Sequence, residues 1–95
     1  MVTQEEVYEV LKKELLKSFR RLKEEDIFPD VFVFKELQLD SLDIVDIICF
    51  IEEYFDVQIV QTEEEKKEFY KVVNKEITFL ELANYFTIII NKGKQ

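Results

Sequence analysis

The stretch that decides the fold reads Asp40-Ser41-Leu42-Asp43-Ile44-Val45-Asp46-Ile47-Ile48-Cys49-Phe50-Ile51-Glu52-Glu53-Tyr54-Phe55-Asp56. Ile44, Ile47, Ile48, Ile51 and Phe55 recur at helical spacing, which predicts a helix over 41–55 with one buried stripe. Asp40 is suited to cap it, with Leu39 and Ile44 at the flanking apolar positions. Ser41 then holds the first helical position. Its hydroxyl is free of capping duty, beside backbone N–H groups and the positive end of the helix dipole, a setting that favours a phosphate. The competing reading makes Ser41 itself the cap. On a helical wheel, the face opposite the stripe carries Leu42, Val45, Asp46, Cys49, Glu53 and Asp56, with Asp43 near its edge. Apolar residues ringed by like charges suit a docking surface, although an ordinary solvated helix also tolerates stray apolar residues.

Working outward, other helix starts are equally legible. Thr3-x-x-Glu6 is a capping box, with Val2 and Val7 as its staple. Val7, Leu11, Leu15, Phe19 and Leu22 follow at helical spacing and predict a helix over 3–22. Residues 23–39 form a long connection containing Pro29. Ile27, Phe28, Val31, Phe32, Val33 and Phe34 make it apolar enough to lie against the core. A strand over 31–34 is the alternative, without an evident partner. Thr62-x-x-Glu65 opens a charged helix over 62–76. Thr78-x-x-Glu81, with Ile77 and Leu82 as staple, opens a last helix containing Phe79, Leu82, Phe86 and Ile90. Gly93 suits its stop, and a loose tail is expected from about 92. One domain fits 95 residues.

Composition excludes several function classes. The net charge is −8, a poor match for nucleic acid. Ten acidic residues and no Lys or Arg lie between Glu36 and Glu65, a field that attracts basic partners. His is absent, removing the usual general base and metal ligand. With one Gly there is no phosphate-cradling loop. Ser41 is therefore weak as a self-activated nucleophile, and its chemistry must come from another protein. Cys49 is the single cysteine; no Lys, Arg or His lies near it in sequence to activate a thiolate, so it reads as a small residue of the docking face. A reducing, cytoplasmic setting fits. The four tyrosines, Tyr8, Tyr54, Tyr70 and Tyr85, show no stacking pattern and are expected half-buried. No EF-hand pattern accompanies the carboxylates.

Asp40-Ser41-Leu42-Asp43, followed by Val45, Asp46 and Glu52-Glu53-Tyr54-Phe55-Asp56, resembles the attachment motif and second helix of acyl carrier proteins. Ile27, Val33, Phe34, Glu36 and Leu37 fall without gaps on that family's first-loop anchors, and 77–86 resembles its last helix. The resemblance implies an all-α, four-helix bundle with a long first loop and an extended third helix. It implies a carrier, not an enzyme. Ser41 would receive 4′-phosphopantetheine from coenzyme A through a separate, magnesium-using phosphopantetheinyl transferase. The arm's thiol would hold acyl groups as thioesters for fatty-acid, polyketide or related biosynthesis. Asp40 would shape the helix start, and Leu42 and Val45 would give apolar contact. Glu36, Asp43, Asp46, Glu53 and Asp56 would steer basic patches on acyl-handling enzymes. Ile44, Ile47, Ile51, Phe55 and Phe86 would part for an acyl chain. A monomer without a membrane span is expected. Other cargo, such as an amino acid or D-alanine, and an unmodified acidic adaptor docking through the second helix, stand as alternatives. Three departures accompany the likeness: Gln38 where the family usually has Gly, Leu39 where it has a small residue, and about ten extra residues within 62–76.

Overall fold

A computed structural model of the chain describes residues 1–59, 64 and 76–93, and for Ser41 the backbone alone. Among these residues there are three α-helices and no strand: α1 (Gln4–Ser18), α2 (Ser41–Phe55) and α3 (Phe79–Gly93), with a 3₁₀ turn at Glu24–Asp26. The all-α expectation is met. The helix expected over 62–76, and with it a count of four, lies outside the described residues, as does Tyr70.

Each helix starts where the capping chemistry places it. Thr3 Oγ1 accepts the Glu6 N–H at 3.1 Å. At α3 the exchange runs both ways: Glu81 N–H to Thr78 Oγ1 at 3.2 Å, and Thr78 N–H to a Glu81 carboxylate oxygen at 3.0 Å. The staple residues are covered as well. Val7, Ile44, Ile77 and Leu82 are buried, and Val2 packs against the core.

The helix ends differ from the pattern. α1 stops at Ser18 rather than near residue 22, because Phe19 leaves helical geometry while its N–H still bonds Leu15 O. Leu22 N–H then bonds Phe19 O at 2.9 Å. Leu22 is buried although it lies beyond the helix, and burial is all that its helical spacing expresses. At the other end, α3 runs through Gly93, past the point near 92 where the tail was expected. The Asn91 carboxamide explains part of that order. It accepts the Val2 N–H at 2.8 Å and donates to Val2 O at 3.0 Å, holding the end of α3 against the start of α1.

The connection over 23–39 is structural. Ile27, Val31, Val33, Leu37 and Leu39 are buried, each burial being worth roughly 1.5–3 kcal/mol. Phe28 departs from the expectation and stands 43% exposed. In place of a strand at 31–34 there is one antiparallel bridge, Phe32 to Thr78. Val33 N–H donates to Ile77 O, Phe79 N–H to Val31 O and Leu80 N–H to Pro29 O, at 2.9–3.0 Å. The partner missing from the sequence reading is the lead-in to α3, a segment too short to read as a strand. These bonds tie the loop before α2 to the start of α3.

One core joins the pieces. Val7, Leu11 and Leu15 of α1, Ile44, Ile47 and Ile51 of α2, and Phe79, Leu82, Phe86 and Ile90 of α3 belong to a single buried cluster.

Candidate functional site

The start of α2 decides between the two readings of Ser41. Asp40 has extended backbone and is the cap: Oδ1 accepts the Asp43 N–H at 2.9 Å. Asp43 Oδ2 in turn accepts the Asp40 N–H at 3.0 Å. Ile44 N–H bonds Asp40 O at 3.1 Å, the first intrahelical bond. Ser41 is therefore the first helical residue, and the capping role is already filled. The box also takes up two first-turn donors. Helix geometry leaves those of Ser41 and Leu42 without an intrahelical acceptor, aimed along the axis at the position an anion would take.

The face expected to meet partners is exposed. Leu42 is 74% accessible and Val45 38%, while Asp46, Cys49, Glu53 and Asp56 also face outward. Two of the predicted acids have local work. Asp43 is half-buried in the capping box, so its charge is partly committed to the fold. Glu36 is exposed, and its carboxylate accepts the Phe32 N–H at 3.1 Å. Asp56 closes α2 in the left-handed region at φ 53°. Beside it a Glu52 carboxylate oxygen accepts the Ile59 N–H at 2.8 Å and fixes the chain's exit.

Tyr54 was expected half-buried and is instead 60% exposed, its ring 5.6 Å from Phe50. Asp43, Phe50 and Tyr54 are spaced by seven and four residues, which puts them along one edge of α2, between the core stripe and the acidic face. That spacing was available in the sequence.

Two features near Ser41 were less legible. Gln38 adopts φ 57°. A residue other than Gly held there costs roughly 1 kcal/mol. Arg21 donates through Nη2 to Gln38 O at 3.2 Å, which brings a guanidinium to the head of a segment that has no cation of its own. No sequence period links positions 17 apart, and only the fold does so.

With this geometry in view, comparison with known proteins gives a consistent result. No family model matches the chain. Acyl carrier proteins of Buchnera aphidicola subsp. Acyrthosiphon pisum, from strains Tuc7 and 5A, are 40% identical to it over 63 residues, covering 66% of this chain and 75% of theirs. The chain belongs to the acyl carrier protein family. A 63-residue stretch of a 95-residue chain starts no later than 33 and ends no earlier than 63, so the match spans Ser41 and all of α2. No helix among the described residues is long and apolar enough to cross a membrane.

Proposed function

We propose that this acyl carrier protein family member carries a 4′-phosphopantetheine arm on Ser41 and presents acyl groups to partner enzymes without catalysing their conversion. The observation that carries the reading is the position of Ser41: first in its helix, relieved of capping by Asp40, next to the exposed Leu42, in a family whose name states the carrier role. The donor set suits a phosphodiester. Two outward N–H groups and the positive helix end lie beside Ser41, and both flanking carboxylates accept hydrogen bonds within the box. When bound, the arm supplies a terminal thiol that holds an acyl group as a thioester.

The chain's own residues do the rest. Asp40 fixes the helix start, so the Ser41 position is presented in one geometry to a phosphopantetheinyl transferase. Leu42 and Val45 give the transferase and the acyl-handling enzymes an apolar contact. Asp46, Glu53, Asp56 and Glu36, with Asp43 at the edge, draw in their basic patches. Such steering favours fast, salt-sensitive and weak docking, which a shuttle needs. Ile44, Ile47, Ile51, Phe55 and Phe86 are the core side chains that would separate around an acyl chain.

The test is intact mass after incubation with coenzyme A, magnesium and a broad-specificity phosphopantetheinyl transferase. The parent should gain one phosphopantetheinyl group and Ser41→Ala none. A folded parent with no gain, or a gain that survives Ser41→Ala, would overturn the assignment.

A further inference from the structure

A groove of about 150 Å³ lies between α1 and α2, away from Ser41. Tyr54, on its α2 wall, is thirteen residues further along that helix, about 20 Å of rise. Val10 and Phe50, both half-buried, and Tyr54, 60% exposed, give the groove a mostly apolar accessible lining. Lys13 and Lys17 line it from α1, one turn apart and exposed. A lysine so placed lays its methylene stem along apolar surface and keeps its ammonium in water. The volume is well below the roughly 300 Å³ at which small-ligand sites begin, so the groove suits one side chain rather than a whole ligand.

We propose that this groove is an anchor point for an acidic segment of a partner protein. One large apolar side chain of that segment seats between Val10, Phe50 and Tyr54, and a carboxylate next to it meets Lys13 and Lys17. An exposed tyrosine beside a second ring is the kind of residue that anchors protein interfaces, where a few aromatic contacts in small pockets carry most of the affinity. The inference goes beyond the carrier reading and holds whether or not Ser41 is modified.

Charge decides what accompanies the apolar side chain. Among the described residues neither Lys13 nor Lys17 is in a salt bridge. The two acids of the lining are placed differently. Glu14 is half-buried, and its carboxylate accepts the Ser18 hydroxyl at 2.7 Å. Glu9 lies one turn before Lys13, so along α1 the groove runs from an acid to two cations. On the other wall, the acidic face of α2 begins just beyond the Phe50–Tyr54 edge. A partner carboxylate is therefore repelled from the α2 wall and drawn to the Lys13–Lys17 end, which fixes the direction in which the segment lies. A chain of net charge −8 favours cations over its surface as a whole, so an anion preference at this groove would have to come from the two lysines.

The experiment titrates the ¹⁵N-labelled chain with end-blocked peptides and follows its backbone amides. The first peptide carries one phenylalanine between two glutamates; the second has lysines in place of the glutamates, and the third alanine in place of the phenylalanine. The first should move Val10, Lys13, Lys17, Phe50 and Tyr54 together and bind about fivefold more tightly than the second, the size expected of two exposed ion pairs. The third should leave these amides in place. Tyr54→Ala should abolish the response to the first peptide, and Lys13→Gln combined with Lys17→Gln should remove its advantage over the second. Unchanged amide shifts away from the groove show that each variant is folded. Tighter binding of the lysine peptide at the groove, an equal response to the alanine peptide, or an acidic preference that survives loss of both lysines would overturn the proposal.

Discussion

The starts of α2 and α3 are built alike and used differently. Both carry a reciprocal box, Asp40 with Asp43 and Thr78 with Glu81. Both bury the apolar pair that brackets the box, Leu39 with Ile44 and Ile77 with Leu82. They part at the two residues that follow the cap. In α3 these are Phe79, fully buried, and Leu80, 38% exposed; in α2 they are Ser41 and Leu42, the latter 74% exposed. The α3 start is also held from outside, by hydrogen bonds to Pro29 O and Val31 O. One local device thus serves two ends. At α3 it locks the helix into the core, and at α2 it leaves a bare leucine, next in the chain to Ser41, toward solvent. The contrast teaches that capping sets where a helix begins, while the residues just inside it decide whether that beginning is structural or available.

The largest expected effect tests that division directly. Phe79→Ala should cost about 3–5 kcal/mol, the range for truncating a fully buried Phe. Leu42→Ala should leave stability within about 0.5 kcal/mol, as surface changes do. Its effect should appear in arm transfer, where the rate should fall about tenfold, the size of a strong single docking contact. Urea midpoints and a timed mass assay measure the two quantities. Equal loss of stability in both variants would mean that Leu42 is packed, and the comparison would break.

The two caps sharpen it at a smaller scale. Asp40→Ala and Thr78→Ala should each cost about 1 kcal/mol, because each leaves an N–H group at a helix start without its acceptor. Matching losses would show that the boxes are energetically equivalent. Their functional consequences should diverge: Thr78→Ala is modified at the parent rate once folded, whereas Asp40→Ala is modified more slowly because Ser41 loses its fixed presentation. Thermal melts and the same mass assay separate these outcomes. A slow Thr78→Ala that is fully folded would put the α3 start inside the functional surface.

Much of this contrast was legible in the sequence, for definable reasons. Caps, staples and the α2 stripe are local, spanning at most a few turns, so Asp40, Thr78 and the buried isoleucines follow from spacing. Family membership, expected from the Asp40-Ser41-Leu42-Asp43 motif and its flanks, is met by the Buchnera relatives. What escaped is non-local or one-sided. The Phe32–Thr78 bridge joins segments too short to show a strand period. The end of α1 is not set by spacing, because Leu22 is buried from a turn beyond the helix. Phe28 faces out of an otherwise buried run, because hydrophobicity does not say which member of an apolar run is exposed. Gln38 was visible as a departure from the family's Gly, but its left-handed backbone and its Arg21 partner required the fold.

The smallest effect concerns Tyr8, whose ring stands edge-on to Phe79 at 4.9 Å and 74°. Burial first, and the Glu9 charge second, push the phenol above its ordinary value. The neutral form is therefore favoured in the folded chain. The stability it contributes is fully present below the unfolded phenol's pKa of about 10 and is lost as pH rises through the higher folded value. Phenolate absorbance in the parent minus Tyr8→Phe should show Tyr8 ionising later than a free tyrosine. Over the same range, the urea midpoint of the parent should fall more steeply than that of Tyr8→Phe. The two helix starts then enter again. Phe79→Ala opens the wall against which Tyr8 packs and should bring its titration back toward the ordinary value, whereas Leu42→Ala should leave it unmoved. If Leu42→Ala shifted Tyr8 as much as Phe79→Ala did, the two starts would be coupled through the core, and the exposed Leu42 could not be treated as a surface independent of the fold beneath it.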